Sequence, residues 1–215
     1  SYSWYLDIAS PNWQALILDN YDAIFPLPVK TKLGLCFASQ PLFVHHFKII
    51  SKRGVDNDML NEFLNSIPPK VKYIELYIQT NASWNSPIFE VDRVINQQLV
   101  LSRQFEEIKK GYNSDLTKNL KRANNKNLRL TNEVSVAEFI RYFKENVSHK
   151  ITTVNEKDYL RLQKLLEVVN NKGKGKVLAV ADDMGNIVAS AFLLFTKNSI
   201  SIKEANANHK GKKVC

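Results

Sequence analysis

The chain has 215 residues, of which 44% are hydrophobic and 10% aromatic, and it carries a formal net charge of +9. This composition is that of a soluble globular protein and is sufficient for one large domain or two small ones. No apolar run approaches the roughly 18 residues of a membrane helix, and the first residues lack the pattern of a secretory signal. Because Cys36 and Cys215 are the only cysteines, we expect no disulfide framework and a cytoplasmic location.

The positive charge is confined to the second half of the chain. Residues 1–103 hold nine Lys/Arg and nine Asp/Glu, whereas residues 104–215 hold 21 and 12. This asymmetry indicates either an anionic partner, such as a phosphorylated cofactor or RNA, or a solvated basic surface without a partner. The four histidines are scattered, and none has the spacing of a zinc site.

The first hundred residues predict a strand-rich module with one helix. Apolar residues recur at helical spacing from Met59 to Ile67, with Asp56 to Asp58 placed as N-terminal caps and Pro68 and Pro69 ending the helix. The other runs are rich in aromatic and β-branched residues and are separated by turn residues, which is typical of strands. These predicted strands are residues 3–8, 13–18, 21–25, 33–37, 42–50 and 71–78.

From Gln98 the apolar period changes from two to about 3.6. It predicts a helix over 105–123 that Gly111 interrupts and Asn113 or Ser114 caps again, and two further helices over 136–147 and 156–169. A long β-hairpin follows over 176–195, with Gly185 and Asn186 in its turn. Residues 199–202 form a short third strand, and the sequence after them becomes polar without spaced apolar positions.

This change in period places a module boundary near Arg103. We therefore predict an N-terminal module over residues 1–103, a C-terminal module over 104–203 and a polar, disordered tail over 204–215. Each module has the α+β pattern of a sheet with flanking helices.

One segment has the charge to hold phosphates. Five Lys and Arg residues lie between Lys118 and Arg129, and charge-assisted contacts from such residues bind anions. At about 100° per residue, however, Lys118 and Lys121 point away from the apolar stripe and Arg122 and Lys126 flank it. A solvated helix therefore stands as the alternative to a phosphate site.

Two other motifs favour structural roles. The glycines around Gly173 follow a helix and open a strand, the reverse of a phosphate-binding loop, so they indicate the end of that helix. Asp182 and Asp183 fall in the hairpin turn, where local capping explains them better than catalysis does.

Four segments taken together in this order resemble the FemAB-like branch of the GNAT acyltransferase superfamily. They are Trp13-Gln-Ala-Leu-Ile-Leu-Asp-Asn-Tyr-Asp-Ala-Ile-Phe-Pro-Leu-Pro28, Gln40-Pro-Leu-Phe43, Tyr112-Asn-Ser-Asp-Leu-Thr-Lys-Asn-Leu-Lys-Arg-Ala123 and Ile187-Val-Ala-Ser190. The resemblance spans residues 2 to about 203. It implies two tandem GNAT-like modules, each with a mixed, mostly antiparallel sheet and flanking helices.

The resemblance implies transfer of an acyl or aminoacyl group to an amine. The donor would be acetyl-CoA or another acyl-CoA, or aminoacyl-tRNA, and the acceptor a small molecule or a peptidoglycan-precursor-like amine, with no metal. On this basis Lys118 and Arg122 are candidates for donor binding, and Gln40, Phe43 and Tyr112 for substrate binding. No catalytic residue can be assigned, because a carboxylate, a tyrosine or a water relay can serve as the base. The alternative is a non-enzymatic binder of RNA or another polyanion.

The end of the chain departs from the family pattern. In GNAT proteins the hairpin leads into a further strand, whose splayed edge receives the pantetheine arm of the donor, and then into a glycine-containing loop that binds pyrophosphate. The residues after 203 predict neither feature, so we expect a truncated or frameshifted second module, impaired in donor binding. We also expect an exposed sheet edge at residues 199–202.

Overall fold

The structure is a computed structural model that describes residues 2–80, 86–150 and 154–208. The chain divides into two compact units, Ser1–Val94 and Ile95–Cys215, and Arg103 lies in the second. The fold is mixed α/β: the described residues form six α-helices and two sheets, one mixed and one antiparallel.

Unit 1 contains the mixed sheet. Its strands are β1 (Trp13–Leu18), β2 (Ala23–Lys32), β3 (Leu35–Ser39), β4 (Ile50–Ser51) and β5 (Val71–Glu75), and its helices are α1 (Ser3–Ala9) and α2 (Asn57–Asn65). The strand order is β1-β2-β3-β5, β4 pairs with β2, and only the β3–β5 pair is parallel. The core includes the buried side chains of Leu6, Phe25, Phe47, Leu60 and Phe63.

Strand β2 contains two prolines although it is paired on both sides. Pro26 and Pro28 lie opposite Ala15 and Trp13 of β1, whereas β4 and β3 pair with β2 only before and after them. Residues two apart in a strand direct their backbone nitrogen atoms to the same side. The nitrogen atoms of Pro26 and Pro28 can therefore both face away from β1, on the side where neither β3 nor β4 pairs with them, so the missing N–H groups cost no hydrogen bond between strands.

Two of the strand predictions for this unit are wrong. Residues 3–8 form helix α1, because Tyr5, Leu6 and Ala9 are buried at helical spacing. Residues 42–50 are mostly irregular, with one bridge from Phe47 to Ile78 and a strand that begins only at Ile50. Both runs contribute buried side chains, among them Tyr5, Leu6, Phe43 and Phe47. Tertiary packing and not local propensity sets their backbone conformation.

Unit 2 contains the antiparallel sheet, in the order β6-β7-β8-β9. Its helices are α3 (Phe105–Lys110), α4 (Ser114–Asn125), α5 (Val136–Val147) and α6 (Glu156–Asn171), with a 3₁₀ turn at Ser148–Lys150, and its strands are β6 (Arg129–Thr131), β7 (Gly175–Ala181), β8 (Ile187–Phe195) and β9 (Ile200–Ala207). The predicted helices and the hairpin are confirmed.

Side-chain caps begin three helices of unit 2, and the sequence predicts the first of them, at Asn113. Asn113 accepts a hydrogen bond from the Leu116 amide at 2.8 Å, so a new helix starts after the interruption at Gly111. Ser135 and Asn155 form capping boxes with Glu138 and Asp158. Each box satisfies two of the backbone groups that a helix end leaves without partners.

The hairpin turn is held by a carboxylate, as predicted. Asp182 Oδ1 accepts hydrogen bonds from the amides of Met184 at 3.1 Å and Asn186 at 2.8 Å. Gly185 has φ 81°, the left-handed conformation that glycine adopts without strain.

Helices α5 and α6 pack on one face of the antiparallel sheet. The Phe139 ring of α5 lies 6.3 Å from the Phe192 ring of β8, and Val169 of α6 is fully buried against β7. Burial of an apolar side chain of this size stabilises the fold by about 1.5–3 kcal/mol. This face therefore forms the core of unit 2.

The prediction that the strand ends at residue 202 and a polar tail starts at 204 is wrong for the residues that the structure describes. Strand β9 continues to Ala207. One extra residue, Lys203, interrupts the pairing with β8 and shifts the alternation of buried side chains, which hides the strand in the sequence. The part of the predicted tail from residue 209 onward lies outside the described residues.

Gly175 limits how closely α6 approaches the sheet. A Cβ atom there would lie 2.5 Å from the Leu193 carbonyl oxygen, 2.6 Å from the Phe192 ring and 2.7 Å from Val169. We predict that Gly175→Ala lowers the stability of the protein by about 1–3 kcal/mol, because backbone and core side chains must move apart. Thermal unfolding measures the change.

Gly111→Ala is the control, because its new Cβ atom would meet only the Ile108 carbonyl oxygen, at 3.3 Å. A melting temperature of Gly175→Ala equal to that of the wild type would contradict this account of the core.

Candidate functional site

The candidate site lies on β9, the last strand of the antiparallel sheet. Among the described strands, β9 pairs only with β8. Phe192 pairs with Glu204 and Leu193 with Ile202, so Lys203 is an extra residue and forms a β-bulge. A bulge bends the strand locally and is common beside functional sites. The outer side of β9 can therefore offer backbone groups to an extended ligand.

Buried polar side chains are concentrated at this bulge. The described part of the chain has four buried polar or charged residues, and three of them, Ser190, Lys203 and Asn206, lie on β8 and β9. Ser190 and Asn206 are directly opposite each other, and the Asn206 Nδ2 atom donates a hydrogen bond to Ser190 Oγ at 2.9 Å. This bond satisfies two buried polar groups and fixes the register of β9 beyond the bulge.

Lys203 and Glu204 have opposite charges and both are largely removed from water. Burial lowers the pKa of Lys203 to about 8, and the adjacent Glu204 carboxylate partly opposes this change. Burial likewise raises the pKa of Glu204, and the Lys203 ammonium opposes it. Shifted titrations of adjacent groups at a bulged edge are typical of functional sites.

This arrangement has the groups for proton transfer to or from an amine. A carboxylate whose pKa is raised is a stronger base than an exposed one, and a neighbouring lysine can change its charge near neutral pH. The described residues hold no group of three or more His, Cys, Asp or Glu side chains that could bind a metal ion.

The five residues predicted for the site do not lie on β8 or β9, and the structure divides them between the units. Gln40 and Phe43 belong to unit 1, and Tyr112, Lys118 and Arg122 belong to the segment of α3 and α4 in unit 2.

In unit 1 the two candidates make structural contacts. Gln40 Nε2 donates to the Val44 carbonyl, and its Oε1 accepts from the Tyr77 amide at 3.1 Å. Phe43 is buried, and its carbonyl accepts a hydrogen bond from the Tyr5 hydroxyl at 2.6 Å. These bonds fix the segment between β3 and β4.

In unit 2 the two cationic candidates are exposed. Lys118 and Arg122 lie on α4, where Arg122 contacts the Asn119 side chain at 3.4 Å. Tyr112 is half-buried in the turn before α4, and its amide donates to the Lys109 carbonyl at 3.1 Å. Lys118 and Arg122 are therefore accessible to an anion.

The sequence analysis missed Lys203 and Glu204. Their signal in the sequence is a pair of opposite charges directly after the alternating run 199–202, and this pattern predicts the start of a polar tail. Only the tertiary structure shows that Lys203 is buried and Glu204 partly buried.

Unit 1 also has a groove of about 340 Å³. It is lined mainly by apolar residues, among them Leu64, Ile67, Val71, Ile88 and Phe89. Tyr73 on its wall donates a hydrogen bond to Glu75 at 3.1 Å, and this bond raises the pKa of Tyr73. The groove combines no buried acid and base, so the bulge on β9 is the stronger candidate.

A scan against protein-family models and a search of curated proteins found no match to this chain. Within the described ranges, every helix is too short or too polar to cross a bilayer.

The buried lysine gives a pH-dependent stability of known sign. The folded protein releases the Lys203 proton at about pH 8 and the unfolded chain near pH 10.5, so between these values the unfolded state holds more protons and stability rises with pH. We predict that Lys203→Met is more stable than the wild type at neutral pH, by up to about 3 kcal/mol. This advantage should shrink between pH 8 and 10.5.

Urea unfolding of both proteins over this pH range tests the prediction. Lys174→Met, which removes an exposed lysine just before β7, controls for the loss of one charge. If the difference in unfolding free energy between Lys203→Met and the wild type stays constant with pH, burial of the Lys203 charge does not destabilise the protein.

Proposed function

We propose that the protein is an N-acyltransferase of the GNAT type, which transfers an acyl or aminoacyl group to an amine. The donor is acetyl-CoA or another acyl-CoA, with aminoacyl-tRNA as the other option. The resemblance of the sequence to the FemAB-like branch suggests this activity. The architecture of unit 2 is compatible with it, because a β-hairpin leads into a further strand of a mostly antiparallel sheet with helices on one face.

The bulge on β9 is the observation that carries the proposal. The resemblance implies a strand after the hairpin whose splayed edge receives the pantetheine arm, and β9 has the position and the irregular edge for this purpose. The amide groups of an extended arm can hydrogen bond to the outer side of the strand, as an added strand would.

Glu204 is the base in this proposal. The acceptor must lose a proton before or during attack, and a carboxylate with a raised pKa removes it more readily than an exposed one does. The amine nitrogen then forms a bond to the acyl carbon, the bond from this carbon to the donor sulfur breaks, and the thiolate takes up a proton from water. Lys203 positions Glu204 through its charge.

The donor also carries phosphates, and the exposed cations of α4 are candidates to bind them. Lys118 and Arg122 keep this proposed role, since both are accessible and the cationic excess belongs to this half of the chain. Substrate contacts by Gln40, Phe43 and Tyr112 stay predictions. The acceptor is a small molecule or a peptidoglycan-precursor-like amine.

Acetyl-CoA binding and transfer are tested separately. Acetyl-CoA should raise the melting temperature of the wild type, because a ligand that binds only the folded state stabilises it. Glu204→Gln should keep this rise but lose about 100-fold or more in transfer of the labelled acetyl group to a panel of amines. Glu167→Gln, on the exposed side of α6, is the matched control.

If neither acetyl-CoA nor other acyl-CoA thioesters shift the melting temperature, acyl-CoA is not the donor. Equal transfer rates for Glu204→Gln and Glu167→Gln would show that Glu204 is not the base, although the protein transfers acyl groups.

Binding of RNA or another polyanion is the alternative function, favoured by the exposed lysines and arginines of α4. It predicts that affinity for RNA falls steeply as salt increases, since cations on the protein displace condensed counterions. Filter binding over a range of salt concentrations separates it from acyl-CoA binding.

A further inference from the structure

Helices α3 and α4 are the amphipathic elements of unit 2 that contain no buried residue. Helices α5 and α6, by contrast, each bury a stripe of side chains against the sheet. The apolar residues of α3 and α4 are instead exposed: Phe105 by 61%, Leu116 by 41% and Leu120 by 45%. Leu116 and Leu120 are four residues apart on α4 and so share one face of it. Apolar side chains grouped on a surface indicate a binding partner.

The apolar stripe of α4 is accompanied by positive charge. Leu116, Leu120 and Ala123 fall on one side of the helix, and Lys118 and Lys121 fall on the opposite side. Helix α4 carries Lys118, Lys121 and Arg122 against one acidic residue, Asp115, a net charge of +2, and Lys126 follows directly after it. The partner must therefore match both an apolar stripe and the positive charge of α4.

We propose that α3 and α4 bind the surface of an anionic lipid bilayer. A helix with one apolar face and a cationic polar face lies in the plane of the bilayer, with its apolar side chains among the acyl chains. Negatively charged headgroups attract the cations of the polar face, Lys118, Lys121 and Arg122, together with Lys126 after the helix.

The exposed leucines distinguish this partner from RNA. Phosphates of RNA would use the same cations, but they give no reason for an apolar stripe on α4. Aromatic side chains on which bases could stack are also missing from α4. The proposal does not rest on acyl transfer, although it shares Lys118 and Arg122 with the proposed phosphate contacts of the donor, because it uses neither β9 nor its bulge.

Co-sedimentation of the full chain with lipid vesicles tests the proposal. The protein should bind vesicles of phosphatidylcholine mixed with phosphatidylglycerol and should bind vesicles of phosphatidylcholine alone much more weakly. The double variant Leu116→Gln, Leu120→Gln should lose about tenfold or more in affinity for the anionic vesicles. Leu160→Gln on α6 is the control, because Leu160 is a single leucine exposed by 65%.

The charges are tested in the same assay. The double variant Lys118→Gln, Lys121→Gln should bind anionic vesicles more weakly than a matched variant of the exposed α6 lysines, Lys157→Gln, Lys164→Gln. Thermal unfolding of each variant shows whether it is folded.

Three results would overturn the proposal. They are equal binding to both kinds of vesicle, unchanged binding by the folded leucine variant, and RNA binding that depends on Lys118 and Lys121 in a protein that does not sediment with anionic vesicles. Failure of acyl transfer would leave the proposal unaffected.

Discussion

The contact between α6 and β7 sets the geometry of unit 2. Gly175 leaves no room for a side chain because Val169, the Phe192 ring and the Leu193 carbonyl oxygen all lie within 2.7 Å of where its Cβ would be. The helix therefore rests directly on the strand, and the leucines at 162, 165 and 166 are excluded from water. Each buried leucine stabilises the fold by about 1.5–3 kcal/mol, so a small loss of contact here affects the whole sheet.

The same layer becomes polar at β9, and this change has an energetic cost. Strand β7 places Val177 and Ala179 in this layer and β8 places Ser190 between two apolar residues, whereas β9 places Lys203 and Asn206 there. The Asn206–Ser190 hydrogen bond compensates for part of the desolvation. The attraction between Lys203 and Glu204 offsets only part of the cost of burying their charges, since burial is the larger influence on the pKa of both. Proteins retain such destabilising groups where they serve a function or specify one arrangement.

Helices α3 and α4 differ from α5 and α6 in the exposure of their apolar side chains. All four have apolar residues at helical spacing, and α4, α5 and α6 also have side-chain caps, so local chemistry accounts for the helical conformation. Only α5 and α6 have their stripes buried. The cations of α4 favour a negatively charged partner for α3 and α4.

The sequence by itself determined most of the elements of unit 2. The helical period, the Asn113 cap and the Gly185 turn are local signals, and each is found where it was predicted. In unit 1 the apolar runs were correctly recognised, but residues 3–8 became a helix and 42–50 became mostly irregular. Short apolar runs suit either conformation, so contacts with distant residues decide between them.

The candidate site was decided by tertiary structure alone. In the sequence, Lys203, Glu204 and Asn206 are polar residues after a short apolar run, and nothing local distinguishes them from a solvated tail. Pairing with β8 extends the strand, a bulge that only a partner strand can define shifts its alternation, and the tertiary structure buries Lys203 and partly buries Glu204. Burial depends on neighbours that are distant in sequence, so the pKa of Lys203 is a property of the fold and not of its local sequence.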